Sequence, residues 1–326
     1  MKNIIRVVIV LVGLISVPGM RGALAAEPEN YLYLSSGELS SFTGRLAQSA
    51  DITGVQVVYS WKQLELSEGV YDFSAIEQDL HLLTRLHKKL FIQIQDRFFE
   101  PDRKGLPGYL LREPQYQGGL VAQTDNPGEG KPVVSGWVAI QWNKALRGRY
   151  RQLLRALASR FDGKVAGINL PETAIDVDEK NAAGFTCNRY FAATMENAQY
   201  ARKVFRQTAV VQYVNFWPCE WNNDHRYMSR FFEMAAHNKI GLGGPDIVPD
   251  KLAHMHNSYP FFHLYKNKLH LVAMAVQEPT LTYTNPQTGK PYTRDEFRSF
   301  AKNYLGADII FWSPRIMWAE RTTPEE

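Results

Sequence analysis

Short apolar runs recur along the chain, and segments with apolar residues at helical spacing lie between them. The runs are rich in Val, Ile, Leu and aromatic residues, which is typical of strands buried on both faces. Candidate strands cover residues 31–34, 54–59, 90–95, 165–169, 209–214, 240–243, 269–276 and 307–312. Candidate helices cover residues 74–86, 142–161, 189–206, 224–237 and 294–304.

The alternation of these elements predicts an α/β protein built as a single (β/α)8 TIM barrel. A doubly wound sheet is the alternative, but the Gly-rich turn that usually follows its first strand is not found in the sequence. Few residues follow the eighth predicted strand, so we expect the last helix to be short or missing. The segment after the third strand, residues 98–139, is predicted to be a long loop over the catalytic face.

The first residues have the pattern of a secretory signal peptide. Lys2 and Arg6 flank an apolar stretch that is too short for a permanent transmembrane helix, and small residues at 23–25 resemble a cleavage site. We therefore expect residues 1–25 to be removed and residues 27–326 to form a catalytic domain. The mature protein is expected to be exported, to the periplasm or the medium, without a membrane span.

The overall charge indicates neither a nucleic acid nor an anionic membrane as partner. The formal net charge is +4, and Lys2, Arg6 and Arg21 belong to the predicted leader, so the mature balance is 4 − 3 = +1. The sequence contains no phosphate-binding glycine pattern and no G-x-S-x-G motif. No cofactor or metal is predicted, and the sequence does not indicate an oligomeric state.

Two cysteines, Cys187 and Cys219, occur in the chain. An exported protein folds in an oxidising compartment, where an even pair of cysteines favours a disulfide bond. We therefore predict one disulfide between them, with two separate thiols as the alternative.

Polar and aromatic residues occur where the predicted strands end, which is where the active site of a (β/α)8 barrel lies. Aromatic rings there suit stacking on sugars, although core packing is the alternative for each of them. Polar side chains suit hydrogen bonds to sugar hydroxyl groups. The predicted substrate contacts are Tyr59, Trp61, Gln95, Arg97, Asn169, Asn215, Trp217, Asp246, His256 and Trp312.

Two carboxyl groups at strand ends are the candidate catalytic groups. Glu172 follows the fourth strand and Glu278 follows the seventh, and these strands face each other across the barrel mouth. Glycoside hydrolysis needs two carboxyl groups that flank the scissile bond, one protonated and one ionised. A single strand-end Glu is often only a solvated charge, but two at these positions favour the catalytic interpretation.

The positions of these two glutamates resemble those in clan A of the glycoside hydrolases, which are retaining (β/α)8 enzymes. A motif after the second strand is also similar to one found in several clan members, including β-galactosidase-like families; it carries Trp61, Leu64, Glu65, Gly69, Tyr71, Asp72 and Phe73. The resemblance implies an oligosaccharide or polysaccharide substrate, no cofactor, and retention of anomeric configuration. It also implies Glu172 as general acid/base, Glu278 as nucleophile and Trp312 as the floor of the sugar site.

The sequence departs from the clan pattern at one position. Clan members usually have Asn directly before the acid/base Glu, whereas here Leu170 and Pro171 separate Asn169 from Glu172. Either the strand bulges at this point or Asn169 has another role. If Glu172 is not the acid, the substitutes near strand ends are Asp96, Asp176 and Asp178.

Two other functions fit parts of the sequence. The first alternative is a non-catalytic glycan-binding barrel whose ancestral catalytic site has decayed. In the second, a metal-dependent hydrolase, His254 and His256 would bind a metal with Asp246. The distance between the two carboxyl groups separates retaining from inverting hydrolysis, at about 5–5.5 Å against about 6.5–9.5 Å.

Overall fold

Eight parallel strands close into a barrel at the centre of the computed structural model, which describes residues 26–124, 133–180 and 182–318. The strands follow one another around the barrel in chain order, and the last pairs with the first. They are β1 Glu29–Ser35, β2 Ile52–Ser60, β3 Lys89–Gln95, β4 Gly167–Leu170, β5 Ala209–Tyr213, β6 Gly241–Gly244, β7 Val272–Val276 and β8 Ile309–Trp312. The predicted (β/α)8 fold is confirmed. The predicted leader lies outside the described residues.

A helix follows each strand. The helices are α1 Thr43–Gln48, α2 Ser74–Arg85, α3 Lys144–Phe161, α4 Cys187–Val204, α5 Tyr227–His237, α6 Ser258–Tyr265, α7 Arg294–Phe300 and α8 Pro314–Met317. The last of these described helices, α8, is a single turn, as predicted. Within the described part of the chain, no helix is both long enough and apolar enough to cross a membrane.

The lower part of the barrel interior is filled by aromatic rings. Tyr31, Phe91 and Phe311 contact one another edge to face, with ring centroids 5.1–6.3 Å apart. Glycines in the neighbouring strands leave room for these rings, because a Cβ on Gly167 would lie 2.1 Å from Cζ of Phe91. The interior is therefore a packed core and not a pore.

Replacing Gly167 with Ala is expected to lower the free energy of unfolding by about 1–3 kcal/mol, because the added methyl group forces Phe91 out of its position. The matched control is Gly148→Ala in α3, where a Cβ would have no heavy atom within 4 Å. That change is expected to raise the free energy of unfolding by about 0.5–1 kcal/mol. Urea denaturation measures both, and equal effects of the two changes would contradict this account of the barrel core.

The long segment after β3 was predicted to be a loop, but it contains its own antiparallel sheet. Its strands are Arg97–Phe98, Leu120–Thr124 and Val134–Ala139, with the last in the middle. A helical turn, Gly108–Arg112, precedes the second strand. The sheet satisfies backbone groups that an irregular loop would leave to water. Residues 125–132 lie outside the described residues.

The motif after β2 forms a structural anchor for this segment. The carboxylate of Glu65 is fully buried in a hairpin formed by Glu65–Ser67 and Val70–Tyr71. It accepts hydrogen bonds from Trp61 Nε1 at 2.8 Å, Tyr109 Oη at 3.0 Å and Arg149 Nη2 at 2.7 Å. These contacts tie the hairpin to the long segment and to α3, so the motif holds the fold together and does not contact the site.

The predicted disulfide between Cys187 and Cys219 is present, and their Cα atoms lie 6.2 Å apart. It links the start of α4 to the segment between β5 and α5. Both segments lie on the side of the barrel where the strands end, so the bond restrains the loops that surround the candidate site.

Candidate active site

A cavity of about 350 Å³ opens where the barrel strands end. Side chains from the ends of β1, β3, β5 and β7 and from the segments after β3, β4 and β6 line it. Among the described residues, three carboxyl groups contribute to the lining, those of Glu172, Asp176 and Asp246. The position agrees with the general rule for (β/α)8 proteins.

Glu172 projects into this cavity after β4. Its Oε2 accepts a hydrogen bond from Nδ2 of Asn215 at 2.6 Å. Burial raises the pKa of the Glu172 carboxyl to about 7; the Arg97 charge and the Asn215 hydrogen bond oppose this shift, while the negative charges of Asp246 and Asp176 reinforce it. Glu172 is thus a carboxylic acid that keeps its proton close to neutral pH.

Arg97 fixes the backbone that carries Glu172. Its guanidinium group is buried and donates to the carbonyl oxygens of Glu172 and of Ala174, the latter at 3.1 Å. Its Nε contacts Oδ1 of Asp96 at 3.1 Å, and a further Nη1 contact reaches the hydroxyl group of Tyr190 at 3.3 Å. Because all of these partners are protein groups, Arg97 positions Glu172 although it also lines the cavity.

Asp246, after β6, is the second carboxylate held firmly in the cavity. Its Oδ1 accepts a hydrogen bond from Oγ1 of Thr280 at 2.7 Å. Its Oδ2 lies 3.8 Å from Nζ of Lys251. His254 lies in the same lining, and burial lowers the pKa of its imidazole to about 4, helped by the Lys251 charge and opposed by that of Asp246.

A buried polar network lies inside the barrel, below the cavity. Gln56 Nε2 donates to Gln93 Oε1 at 2.7 Å, and the Tyr213 hydroxyl group donates to Gln56 Oε1 at 3.1 Å. Asn169 Nδ2 donates to the same Gln56 oxygen. Asn169 was expected to contact substrate, but its side chain is fully buried in this network, and Asn215 is the amide that contacts Glu172.

Glu278 does not join Glu172 in the cavity. Of the described residues, Gln277 and Pro279 line the cavity, whereas Glu278 between them does not. Its exposed carboxylate accepts from Oγ of Ser313 and lies 3.5 Å from Nη1 of Arg315. Side chains alternate along a strand, and Ala273 and Ala275 of β7 face the barrel interior, so Gln277 follows them inwards and Glu278 points away.

The predicted substrate contacts divide into two groups. One group lines the cavity and consists of Gln95, Arg97, Asn215 and Asp246. The other group lies elsewhere and consists of Tyr59, Trp61, Asn169, Trp217, His256 and Trp312, none of which is in the lining of this cavity as far as the chain is described.

Strand alternation explains two of the residues outside the cavity. Gln56 faces the barrel interior, so Tyr59 three residues later faces α2, where its hydroxyl group donates to Oδ2 of Asp79 at 2.6 Å. Phe311 faces the interior, so Trp312 faces outwards and its Nε1 donates to Oδ1 of Asn30 at 2.9 Å. Trp312 therefore does not form the floor expected from the resemblance.

The remaining aromatic predictions are packed in the core. Trp61 is fully buried against Tyr150, with ring centroids 5.3 Å apart. Trp217 is 1% exposed and packs against Phe191 and Phe231, with ring centroids 4.9 and 5.2 Å away. The edge of Trp217 also lines a second cavity of about 500 Å³, which shares Asp176 and Phe216 with the first one.

The two histidines after β6 are not brought together. His254 faces the cavity, whereas His256 contacts Oδ1 of Asn222 through Nδ1 at 2.8 Å and stacks on Trp221. In the described ranges, the one group of ligands close enough to hold a metal ion is Glu179 with Cys187 and Cys219. These cysteines form the disulfide, so the group does not match the alternative of a metal site around the histidines.

Several lining residues were not predicted as substrate contacts. Tyr33, Gln93 and Tyr213 occupy inward positions of β1, β3 and β5, and Lys251 and Gln277 follow β6 and β7. Polar residues at alternate positions near a strand end were the signal for the first three. Lys251 gave no signal, because its position depends on the path of the segment after β6.

Comparisons with known proteins identify the fold. No protein-family model matches the sequence, and no curated protein matches it. The catalytic domain of a β-amylase from Paenibacillus polymyxa is similar, with 8% identity, a TM-score of 0.57 and coverage of 88% of this chain and 93% of that one.

Two further solved structures are similar. Endo-glycoceramidase II from Rhodococcus sp. has 12% identity, a TM-score of 0.51 and coverage of 89% of this chain and 74% of that one. A thermostable mutant of a xylanase from Cellvibrio japonicus has 13% identity, a TM-score of 0.51 and coverage of 89% and 87%. The predicted resemblance to clan A glycoside hydrolases is thereby confirmed at the level of the fold.

Proposed function

We propose that this protein hydrolyses a glycosidic bond of an oligosaccharide or polysaccharide, with Glu172 as the proton donor. The observation that carries the proposal is a half-buried carboxyl group in the cavity at the end of β4, with a pKa raised to about 7. A general acid must hold its proton at the working pH and lose it readily in the transition state. Asn215 supports this role by fixing the orientation of the carboxyl group.

The second carboxylate decides the stereochemical form of the reaction. In the retaining form, Glu278 attacks the anomeric carbon and Glu172 protonates the leaving oxygen, and then Glu172 activates water. This form requires Glu278 to leave Ser313 and Arg315 and turn into the cavity. In the inverting form, a carboxylate in the cavity activates the water directly. Neither form requires a metal or an organic cofactor.

An oligosaccharide fits the shape of the site. The two cavities, of about 350 and 500 Å³, share Asp176 and Phe216 in their linings and so lie next to each other. Phe99 and Phe216 offer rings for stacking, and Gln95 offers an amide to sugar hydroxyl groups. The leader pattern and the disulfide support export of the protein, so the proposed substrate is a glycan outside the cytoplasm.

The test is cleavage of a panel of polysaccharides and aryl glycosides, with the products identified by mass spectrometry. Release of shorter oligosaccharides or of the aryl group supports the proposal and names the sugar. Binding of a glycan without any cleavage across the panel would contradict it and favour a non-catalytic glycan-binding barrel.

The decrease of kcat/KM at high pH is expected to follow the ionisation of Glu172. Since the acid form is required, kcat/KM should fall above pH 7 with the loss of one proton, which is where the raised pKa of Glu172 lies. The Asn215 hydrogen bond lowers this pKa, so Asn215→Ala is expected to move the decrease to higher pH. A decrease that stays at the same pH in the variant, or lies near pH 4.5, would contradict the assignment.

A further inference from the structure

Two carboxylates of the cavity have opposite environments. Glu172 shares one hydrogen bond with a neutral amide, whereas Asp246 has a hydroxyl donor on one oxygen and an ammonium group near the other. Thr280, the hydroxyl donor, is itself fully buried and held by a hydrogen bond from the backbone N–H of Gln277 at 3.1 Å. The orientation of Asp246 is thus fixed from both of its oxygens.

We propose that Asp246, and not Glu278, is the second catalytic carboxylate, and that it acts as the general base of an inverting hydrolysis. The assignment rests on the proposed function of the cavity. Glycoside hydrolysis needs one carboxyl group as acid and a second as base, and the two carboxyl groups held in this cavity have different partners: a neutral amide for Glu172, and a hydroxyl donor and an ammonium group for Asp246. Glu278 lies outside the cavity lining and is engaged with Ser313 and Arg315.

The spacing of the strands supports inversion. Glu172 follows β4 and Asp246 follows β6, with β5 between them. Neighbouring strands lie about 4.8 Å apart, so two spacings give about 9–10 Å. This is near the separation of about 6.5–9.5 Å that leaves room for a water in inverting enzymes, and well above the about 5–5.5 Å of retaining enzymes.

The reaction proceeds in one step. Asp246 takes a proton from a water molecule as the water oxygen bonds to the anomeric carbon from the face opposite the leaving group. The bond between the anomeric carbon and the glycosidic oxygen breaks, and its electron pair passes to that oxygen, which receives the proton of Glu172. The products are a hemiacetal of inverted configuration and an alcohol. Asp246 is left protonated and Glu172 ionised, and exchange with solvent restores both.

Lys251 and Thr280 act as positioning residues for Asp246 in this scheme. Lys251 Nζ also lies 4.7 Å from the centre of the Tyr283 ring, a contact that helps hold the ammonium group next to the carboxylate. His254, beside them, is neutral near pH 7 because burial lowers its pKa to about 4, so it adds no competing charge.

The experiment compares Asp246→Asn, Asp246→Glu and Glu278→Gln, with Asp102→Asn at an exposed position as the matched control. Activity is measured on the substrate that the wild type cleaves, and proton NMR follows the anomer released in the first minutes. We expect Asp246→Asn to lower kcat by about 100-fold or more without changing the free energy of unfolding. The product released by the wild type is expected to have inverted anomeric configuration. Asp102→Asn should leave kcat unchanged.

Three outcomes would overturn the assignment. Full activity of Asp246→Asn would remove Asp246 from the reaction while leaving the proposed function intact. Retention of configuration with collapse of activity in Glu278→Gln would restore the two-glutamate mechanism. Absence of cleavage by the wild type would remove the proposed function, and this assignment with it.

A readout independent of turnover completes the test. The negative charge of Asp246 raises the pKa of Glu172, so Asp246→Asn is expected to lower the pKa of the Glu172 carboxyl in an NMR titration. Asp102→Asn should leave that pKa unchanged. No shift in Asp246→Asn would mean that the two carboxyl groups do not face each other, which contradicts the assignment whether or not a substrate is known.

Discussion

Replacing Glu172 with Gln is expected to lower kcat on a polysaccharide about 100- to 10,000-fold, because the leaving oxygen then receives no proton from the enzyme. The loss should depend on the leaving group. The dinitrophenolate group of an aryl glycoside leaves without protonation, so kcat for that substrate should fall far less than kcat for the natural bond. Kinetics of both substrates in wild type and variant measure this, and an equal loss on both would contradict a role as proton donor.

The same variant is expected to be more stable than the wild type at neutral pH. The folded-state pKa of Glu172 is raised from 4.5 to about 7, so ionisation of Glu172 costs stability as the pH rises through this window. Glu172→Gln removes that cost, which amounts to about 3 kcal/mol above pH 7 and vanishes below pH 4.5. Urea denaturation at both pH values measures it. A less stable variant at high pH would contradict the raised pKa.

Replacing Arg97 with Met is expected to lower the free energy of unfolding by about 3–5 kcal/mol. The change removes the buried partner of Asp96 and the donor to the carbonyl groups of Glu172 and Ala174. The folded state loses stability because the buried carboxylate of Asp96 is left without its cation and two carbonyl groups are left without a donor. Chemical denaturation of the variant measures the loss.

The controls for Arg97 separate charge from geometry. Arg103→Met removes an exposed ion pair with Glu100 and should change stability little. Arg97→Lys keeps the charge but not the planar group with several donors, so it should lie between the wild type and Arg97→Met. The positive charge of Arg97 lowers the pKa of Glu172, so the basic limb of activity in Arg97→Met should move to higher pH. Equal stability of Arg97→Met and Arg103→Met would contradict the role given to Arg97.

The architecture was predictable because its signals are repeated. Each barrel strand is an apolar run buried on both faces, and five helices have a regular apolar face. Two helices were missed for local reasons. In α1 only Leu46 is buried, and α6 is apolar without helical spacing and contains Pro260. Strand β7 was predicted to begin at residue 269 and begins at Val272, since apolar residues before a strand look the same as those within it.

The candidate site was predictable in position and only partly in membership. Strand ends indicated the correct side of the barrel, and Glu172, Asn215 and Asp246 are found there. The error at Trp312 arose from ignoring alternation, because Phe311 and Trp312 cannot both face inwards. Applied to β7, the same rule separates Gln277, which lines the cavity, from Glu278, which does not.

The rest of the site depends on contacts between distant segments. Lys251 and Thr280 approach Asp246 from different segments, 5 and 34 positions along the chain. Gln123 reaches the cavity from the antiparallel sheet of the long segment, which was predicted as a loop. Neither arrangement has a local sequence pattern, since each is produced by tertiary packing.

The most direct test of the account is the pKa of the Glu172 carboxyl, measured by a carbon-13 NMR titration of glutamate-labelled protein and assigned by the signal missing in Glu172→Gln. We expect a titration near 7, because burial raises the pKa of Glu172 from the ordinary value of 4.5. A titration near 4.5 would mean that Glu172 is ionised at neutral pH and has no proton to give, which would contradict its role as the acid.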